Sequence, residues 1–198
     1  MKINTFPQTE LSHDELGQWV KKIYSKELTD IPDEWGKASK YVLNKKISIE
    51  SLIKLIKPKT MLDYGCGQST VIETLQQTFP QIDYAKYDPF VDEYNNYPTG
   101  YYDFITCCLV LHLLNKDILS HTIQELHRLS LNYVFVTVVI YETVDSSLEI
   151  QINHWINNFN TLFKIVTKEI MPRHVYPNSK DMYTVHFLLK KLTPISIN

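Results

Sequence analysis

An acid, Asp63, and two glycines, Gly65 and Gly67, follow a short apolar run. Glycine adopts positive φ angles readily and lets a ligand approach the backbone closely. The next segment, Thr70 to Phe79, carries apolar residues at helical spacing, and a helix start offers unpaired N–H groups and a positive dipole end. The stretch therefore predicts a strand, a tight turn and a helix that hold a nucleotide-like ligand at the end of a parallel strand.

A second acid, Asp88, follows Gly67 by about twenty residues and ends the predicted strand Ile82 to Tyr87. Dinucleotide-type folds place a ribose-binding acid at this distance. A carboxylate there can accept hydrogen bonds from both ribose hydroxyls, which makes the contact directional and charge-assisted. In the alternative interpretation, Asp88 merely caps a turn before Pro89.

Two segments resemble the class I S-adenosylmethionine (SAM)-dependent methyltransferases. The stretch Asp63 to Ser69 is similar to motif I, acid-x-Gly-x-Gly-x-Gly, with Ser69 in place of the last glycine. The stretch Tyr102 to Leu114 is similar to the motif IV region, in which an aromatic-Asp-apolar-apolar strand precedes Val-Leu-His. The resemblance spans roughly Lys57 to Leu192 and implies methyl transfer with SAM as the cofactor.

The resemblance also implies a cofactor site built from three segments. The acid of motif I helps to orient the amino group of the cofactor, the glycine turn admits its methionine part, and the second acid holds the ribose. The apolar pair after that acid walls the adenine, and the end of the motif IV strand faces the sulfonium. The residues so placed are Asp63, Gly65, Cys66, Gly67, Asp88, Pro89, Phe90, Cys107, Cys108 and Leu109.

Methyl transfer needs the nucleophile, the methyl group and the leaving sulfur in line, and a base is needed if the acceptor must lose a proton. His112 follows the motif IV strand by about one helical turn and is the candidate base. The alternative is that His112 is an ordinary packing residue with a polar tip.

Two other functions compete with methyl transfer. A nicotinamide-dependent oxidoreductase needs Gly-x-Gly-x-x-Gly, but Thr70 stands at the third glycine position. A methyltransferase-like module could also bind cofactor or a protein partner without catalysis. The intact Gly65, Gly67 and Asp88 argue against that alternative.

The three cysteines, of which Cys107 and Cys108 are adjacent, argue against a disulfide framework and favour a reducing, cytoplasmic setting. With Cys66 they could cluster and bind a soft metal, but small buried apolar residues are the favoured interpretation. The spacing of cysteine and histidine shows no zinc pattern, so we expect no metal site.

Apolar periodicity predicts a three-layer αβα sandwich around a mostly parallel sheet, and the resemblance implies that this is the Rossmann-like methyltransferase fold. About a dozen residues between Pro89 and Tyr102 are too few for a helix and a strand, so we expect the third strand of the family to be absent or vestigial. The last two strands, Phe163 to Ile170 and Tyr183 to Lys190, should form an antiparallel pair. The predicted domains are a helical extension (1–56), a methyltransferase domain (57–192) and a loose tail (193–198).

The acceptor is not evident from the sequence. The formal net charge of -2 gives no general attraction to nucleic acid, and no apolar run reaches the roughly 20 residues that span a bilayer. The Asp/Asn-Pro-Pro-aromatic motif of amino-methylating DNA enzymes is missing after Cys107. A small molecule is the expected acceptor, with nucleic acid or protein left open and the oligomeric state unknown. Aromatic and cationic residues at two places are expected to wall the acceptor: Trp19, Tyr24, Trp35, Arg173, His174 and Tyr176.

Overall fold

The structure, a computed structural model, describes residues 49–141, 146–172 and 182–192. The predicted helical extension lies mostly outside the described residues, as do the tail and the loop between the last two strands. The six residues expected to wall the acceptor fall in these parts, so their role stays a prediction.

Four helices and six strands alternate along most of the described chain. The helices are α1 (Ile49–Ile56), α2 (Val71–Thr78), α3 (Lys116–Leu129) and α4 (Leu148–Asn160). The strands are β1 (Thr60–Tyr64), β2 (Asp83–Tyr87), β3 (Tyr102–Cys108), β4 (Ser130–Tyr141), β5 (Phe163–Pro172) and β6 (Met182–Lys191). Two short 3-10 turns, Asp92–Tyr94 and Leu111–Leu113, flank β3 in the sequence.

The six strands form one sheet in the order β2-β1-β3-β4-β6-β5. Strands β1 to β4 are mutually parallel, whereas β6 runs antiparallel to both β4 and β5. The predicted parallel sheet with a closing antiparallel pair is therefore confirmed. Parallel neighbours need a crossover, which α2 and α3 supply between β1 and β2 and between β3 and β4.

Alternate residues of the buried strands pack on opposite faces of the sheet. Met61 and Phe104 join a core that includes the apolar stripes of α1 and α2. Leu62 and Ile105 join the larger core that includes α3 and α4. Two helical layers thus enclose the sheet, because strands buried on both faces need an apolar cover on each side. The predicted three-layer sandwich is confirmed.

The link between β2 and β3 contains no strand, and β2 lies at the edge of the sheet. The ring of Tyr97 packs edge-on against Tyr87, with 5.4 Å between centroids. Its hydroxyl donates to Glu125 on α3, whose carboxylate also pairs with Arg128 at 2.8 Å. Arg128 in turn donates to the carbonyl of Pro98 at 3.3 Å. The short link is therefore anchored on α3, where it covers one face of the edge strand.

Side chains fix the ends of several helices and strands. The Asn115 side chain accepts from Ile118 N and caps α3, as Ser147 caps α4. The carboxylate of Asp103, at the start of β3, accepts from the backbone N–H groups of Lys59 at 2.8 Å and Thr60 at 3.1 Å. Asp103 thus joins two neighbouring strands at the end away from their carboxyl ends, which is a structural role.

Candidate functional site

The glycine turn after β1 has the backbone that the sequence predicts. Gly65 and Gly67 adopt φ angles of +73° and +53°. A Cβ on Gly65 would lie 2.4 Å from Cγ2 of Val110, so no side chain fits there. The N–H of Gly65 donates to the carbonyl of Tyr87 at 2.7 Å, which ties the turn to the carboxyl end of β2. The turn therefore needs glycine for both its conformation and its packing.

Ser69, which replaces the last glycine of the motif, has a local role. Its hydroxyl accepts from Val71 N at 3.1 Å in the first turn of α2. The serine thus satisfies one of the backbone donors that a helix start leaves unpaired. This departure from the family pattern keeps the turn and the helix joined.

Asp88 lies against the glycine turn. Its Oδ2 accepts from Gly67 N at 2.8 Å, and its Oδ1 accepts from Phe90 N at 2.9 Å. Burial raises the pKa of this carboxyl, and the same two hydrogen bonds oppose the rise. The turn-capping interpretation describes the contact with Phe90, whereas the contact with Gly67 brings the two predicted ligand-binding segments together. The ribose role of Asp88 stays a prediction.

Asp63 lies inside the fold, with 5% of its surface exposed. Thr106 on β3 donates its hydroxyl to Oδ1 at 2.8 Å. Among the described residues, none donates to Oδ2. Burial raises the pKa of Asp63 to about 6, against the opposing effects of the Thr106 hydrogen bond and the nearby Lys86 cation. Asp63 is therefore a desolvated acid beside the turn, held by Thr106 through one of its two oxygens.

Lys86 on β2 was not predicted as a site residue. Its side chain is only 10% exposed, and its ammonium contacts Ser69, Glu73 and Tyr94. The sequence offered one signal for it, because Lys86 lies in a predicted strand between the apolar Ala85 and the aromatic Tyr87. Such a cation is buried only when it has partners.

The end of β3 faces the glycine turn. The sequence predicted only some of the residues that lie there. Cys107 is fully buried in the core on the α3 and α4 face, so only its backbone could line a ligand. Leu109 has a φ of +62°, and its N–H donates to the carbonyl and hydroxyl of Thr137 at 2.9 and 3.1 Å. Val110, which the prediction omitted, is the residue that covers Gly65.

The remaining predicted residues lie around this centre. Pro89 is half-buried, and Phe90 is 46% exposed at the start of the link. His112 is half-buried in the 3-10 turn that follows Val110. The roles of Pro89 and Phe90 as an apolar wall and of His112 as a base stay predictions.

The cysteines do not form a reactive group. Cys66 is buried and its thiol donates to Gly67 O at 3.5 Å, while Cys108 is half-buried. Burial raises the pKa of all three thiols, so they stay protonated and weakly nucleophilic. Among residues 49–141, 146–172 and 182–192, no group of three or more His, Cys, Asp or Glu side chains could hold a metal ion. No helix in that part of the chain is long and apolar enough to cross a membrane.

Comparisons with known proteins agree with this arrangement. The family model of a methyltransferase domain matches residues 38–171. A search of curated proteins found no match.

Solved methyltransferases share the fold at low sequence identity. The plantazolicin methyltransferase BpumL, solved in complex with S-adenosylhomocysteine (SAH), is 15% identical with a TM-score of 0.51, over 91% of this chain and 99% of that chain. The Burkholderia thailandensis 1,6-didemethyltoxoflavin-N1-methyltransferase, solved with its namesake compound and SAH, is 14% identical with a TM-score of 0.55, over 95% of this chain and 94% of that chain. Because the family model matches more than half of its length, this chain belongs to the methyltransferase family and is a SAM-dependent methyltransferase.

Proposed function

We propose that this enzyme transfers the methyl group of SAM to a small-molecule acceptor, with the cofactor lying across the carboxyl ends of β1, β2 and β3. Open α/β sheets bind ligands at that edge. The observation that carries the proposal is the 2.8 Å hydrogen bond from Gly67 N to Asp88, since it joins the glycine turn to an oriented carboxylate.

The residues at this edge fit the polar groups of SAM. Each oxygen of Asp88 accepts one backbone N–H, and a carboxylate oxygen has a second accepting direction that a ribose hydroxyl can use. The carboxylate of Asp63 would accept a hydrogen bond from the ammonium group of SAM, directly or through water, beside the bond it accepts from Thr106. Pro89 and Phe90 would supply the apolar wall for the adenine.

Bound SAM supplies an activated methyl group. The chain then has to bind SAM and the acceptor, align the acceptor with the methyl group and exclude water. No strong acid or base is needed for the transfer itself. Cys108 and Leu109 would line the sulfonium end, with Leu109 held rigidly by its two bonds to Thr137. His112 would take a proton at an imidazole nitrogen from an acceptor that must lose one.

A small-molecule acceptor is supported by charge and by one similar structure. The formal net charge of -2 gives no broad attraction to a nucleic acid. The 1,6-didemethyltoxoflavin-N1-methyltransferase, whose fold this chain shares, was solved with a small molecule bound. A cytoplasmic setting belongs to the proposal and is supported by three free cysteines.

The first experiment is calorimetry of the purified protein with SAM, SAH and NAD. SAM and SAH should bind in a 1:1 ratio, and NAD should not bind. Binding of NAD without binding of SAM would overturn the cofactor assignment.

The second experiment changes Asp88. Asp88→Ala should weaken binding of SAM and SAH by about 1.5–3 kcal/mol, the range for hydrogen bonds to a charged group. Asp83→Ala is the matched control, because Asp83 is an exposed acid at the opposite end of the same strand. An unchanged dissociation constant for Asp88→Ala would show that the ribose assignment is wrong.

The third experiment follows transfer from methyl-labelled SAM to panels of small molecules, peptides and nucleic acids. Label on a small molecule would support the proposal, and label on a polymer would replace the proposed acceptor. SAM binding with no transfer to any panel would favour the alternative of a non-catalytic binding module.

A further inference from the structure

We infer that Lys86 is a positioning residue for the cofactor, because it holds the glycine turn and the link after β2 at the separation that lets Asp88 reach Gly67. The inference rests on the proposed function, since it concerns the affinity of the same site. Lys86 itself need not touch the cofactor.

The contacts of the ammonium define this role. Nζ donates to the carbonyl of Ser69 at 2.9 Å, to Oε1 of Glu73 at 2.6 Å and to the hydroxyl of Tyr94 at 3.4 Å. An ammonium has three N–H donors, so these three partners use all of them. Nζ also lies 4.5 Å from the centre of the Tyr94 ring, within the range of a cation–π contact. The side chain is therefore fixed rather than free to sample rotamers.

Two of these partners belong to the two halves of the cofactor site. Ser69 ends the glycine turn, and its hydroxyl accepts a hydrogen bond from Val71 N in the first turn of α2. Tyr94 lies in the link, where its carbonyl accepts from the N–H of Asp88 at 3.0 Å. Lys86 thus joins the turn to the segment that carries the second acid. The bond between Gly67 and Asp88 spans the same gap, so a change in that gap alters both contacts together.

The third partner matters less for this role. Glu73 has a side chain that is 50% exposed, and solvent screens such an ion pair. The charge of Lys86 has a further effect, because it favours the ionised form of the buried Asp63 carboxyl group. Removing the cation would take away this favourable effect, while the repulsion of the Asp63 carboxylate by Asp88 would remain.

Lys86→Met keeps the apolar stem and removes the three donors. We expect the dissociation constant for SAH to rise by about tenfold or more, the effect of losing charge-assisted hydrogen bonds that shape the site. Glu73→Gln is the matched control, since it removes the ion pair and leaves the contacts with Ser69 and Tyr94. Its dissociation constant should stay within about threefold of the parent. An unchanged constant for Lys86→Met would overturn the inference.

Comparison of SAM with SAH separates positioning from simple charge. If Lys86 acted only through its field, its removal would tighten binding of SAM, whose sulfonium is cationic, and leave SAH nearly unchanged. Positioning predicts weaker binding of both ligands. Tighter SAM binding in Lys86→Met would therefore contradict the inference.

A double-mutant cycle with Asp88→Ala tests whether Lys86 acts through that acid. In the Asp88→Ala background, Lys86→Met should change the SAH dissociation constant by less than about threefold. A full tenfold effect in both backgrounds would overturn the proposed route. Phe159→Leu, in the buried core on the opposite face, controls for stability: it should lower the melting temperature without changing the constant.

These outcomes are distinct from failure of the proposed function. If the parent protein binds neither SAM nor SAH, the proposed function is wrong and the inference falls with it. If the parent binds both and Lys86→Met binds equally well, only the inference is wrong.

Discussion

Replacing Asp63 with Asn separates the effect of this acid on the stability of the fold from its effect on the binding of SAM. The carboxyl group is buried, accepts a hydrogen bond from Thr106 at 2.8 Å and has a pKa raised by burial to about 6. Asn has the same shape and keeps an oxygen for the Thr106 hydroxyl, but it carries no charge. Asp63→Asn should therefore stabilise the fold at neutral pH while it weakens the binding of SAM.

The size of the stabilisation follows from the pKa. The value rises from 3.8 to about 6 on folding, and each tenfold change in proton affinity is worth about 1.4 kcal/mol. The ionised Asp63 side chain therefore lowers the free energy of unfolding by about 3 kcal/mol. In a domain of this size that corresponds to a melting temperature about 6–12 °C higher for the variant at neutral pH.

The sign of the pH dependence is fixed by which state holds the proton more tightly. Below pH 3.8 the carboxyl is protonated in both states, and the group has no effect. Between pH 3.8 and about 6 the unfolded chain releases its proton first, so the stability of the parent falls as the pH rises. Above about pH 6 the penalty is complete and constant.

The assay is urea unfolding of the parent and of Asp63→Asn at several values between about pH 4 and pH 8. The difference between the two free energies cancels the other titrating groups, and it should grow from near zero to about 3 kcal/mol. A difference that does not change with pH would refute the reasoning, because it would mean that Asp63 has an ordinary pKa.

The same variant should lose affinity for SAM by about tenfold, the effect of one charge-assisted hydrogen bond. In the parent, affinity should rise with pH up to about 6 and then level, because the ammonium of the cofactor favours the ionised acid. Stabilisation with unchanged SAM affinity would leave the folding argument intact and remove Asp63 from the cofactor site.

Two further substitutions test the turn and the proposed base. Gly65→Ala should lower the free energy of unfolding by about 1–3 kcal/mol, since it combines a positive φ with a contact 2.4 Å from Cγ2 of Val110. Urea unfolding should show a smaller loss in a Val110→Ala background, and an equal loss would mean that the contact contributes nothing. His112→Asn should reduce the rate of methyl transfer while calorimetry shows an unchanged SAH dissociation constant; full transfer by this variant would exclude His112 as the base.

The fold could be predicted largely from local patterns. Apolar periodicity predicted the strands and helices around a mostly parallel sheet and the closing antiparallel pair of strands. The length of the link between Pro89 and Tyr102 predicted that the third strand of the family is absent or vestigial, because so few residues cannot hold a helix and a strand. The sequence also predicted the glycine turn, since the positive φ angles at Gly65 and Gly67 require that residue type.

Contacts between distant segments were decided by the tertiary structure. Thr106 binds Asp63 because strands β1 and β3 pair in a register that puts them opposite each other. Val110 covers Gly65 because the chain turns at Leu109. A one-residue change in the register of β1 and β3 would move Thr106 to the other face of the sheet, and local sequence patterns do not fix that pairing.

The surroundings of Lys86 show most clearly which contacts could not be predicted from the sequence. The sequence by itself gives a lysine in a strand, with no indication of what its ammonium binds. Only the folded chain brings Ser69, Glu73 and Tyr94 to that ammonium, from a turn, a helix and the link. The physical reason is that a buried charge must find partners, but which partners it finds depends on the path of the whole chain.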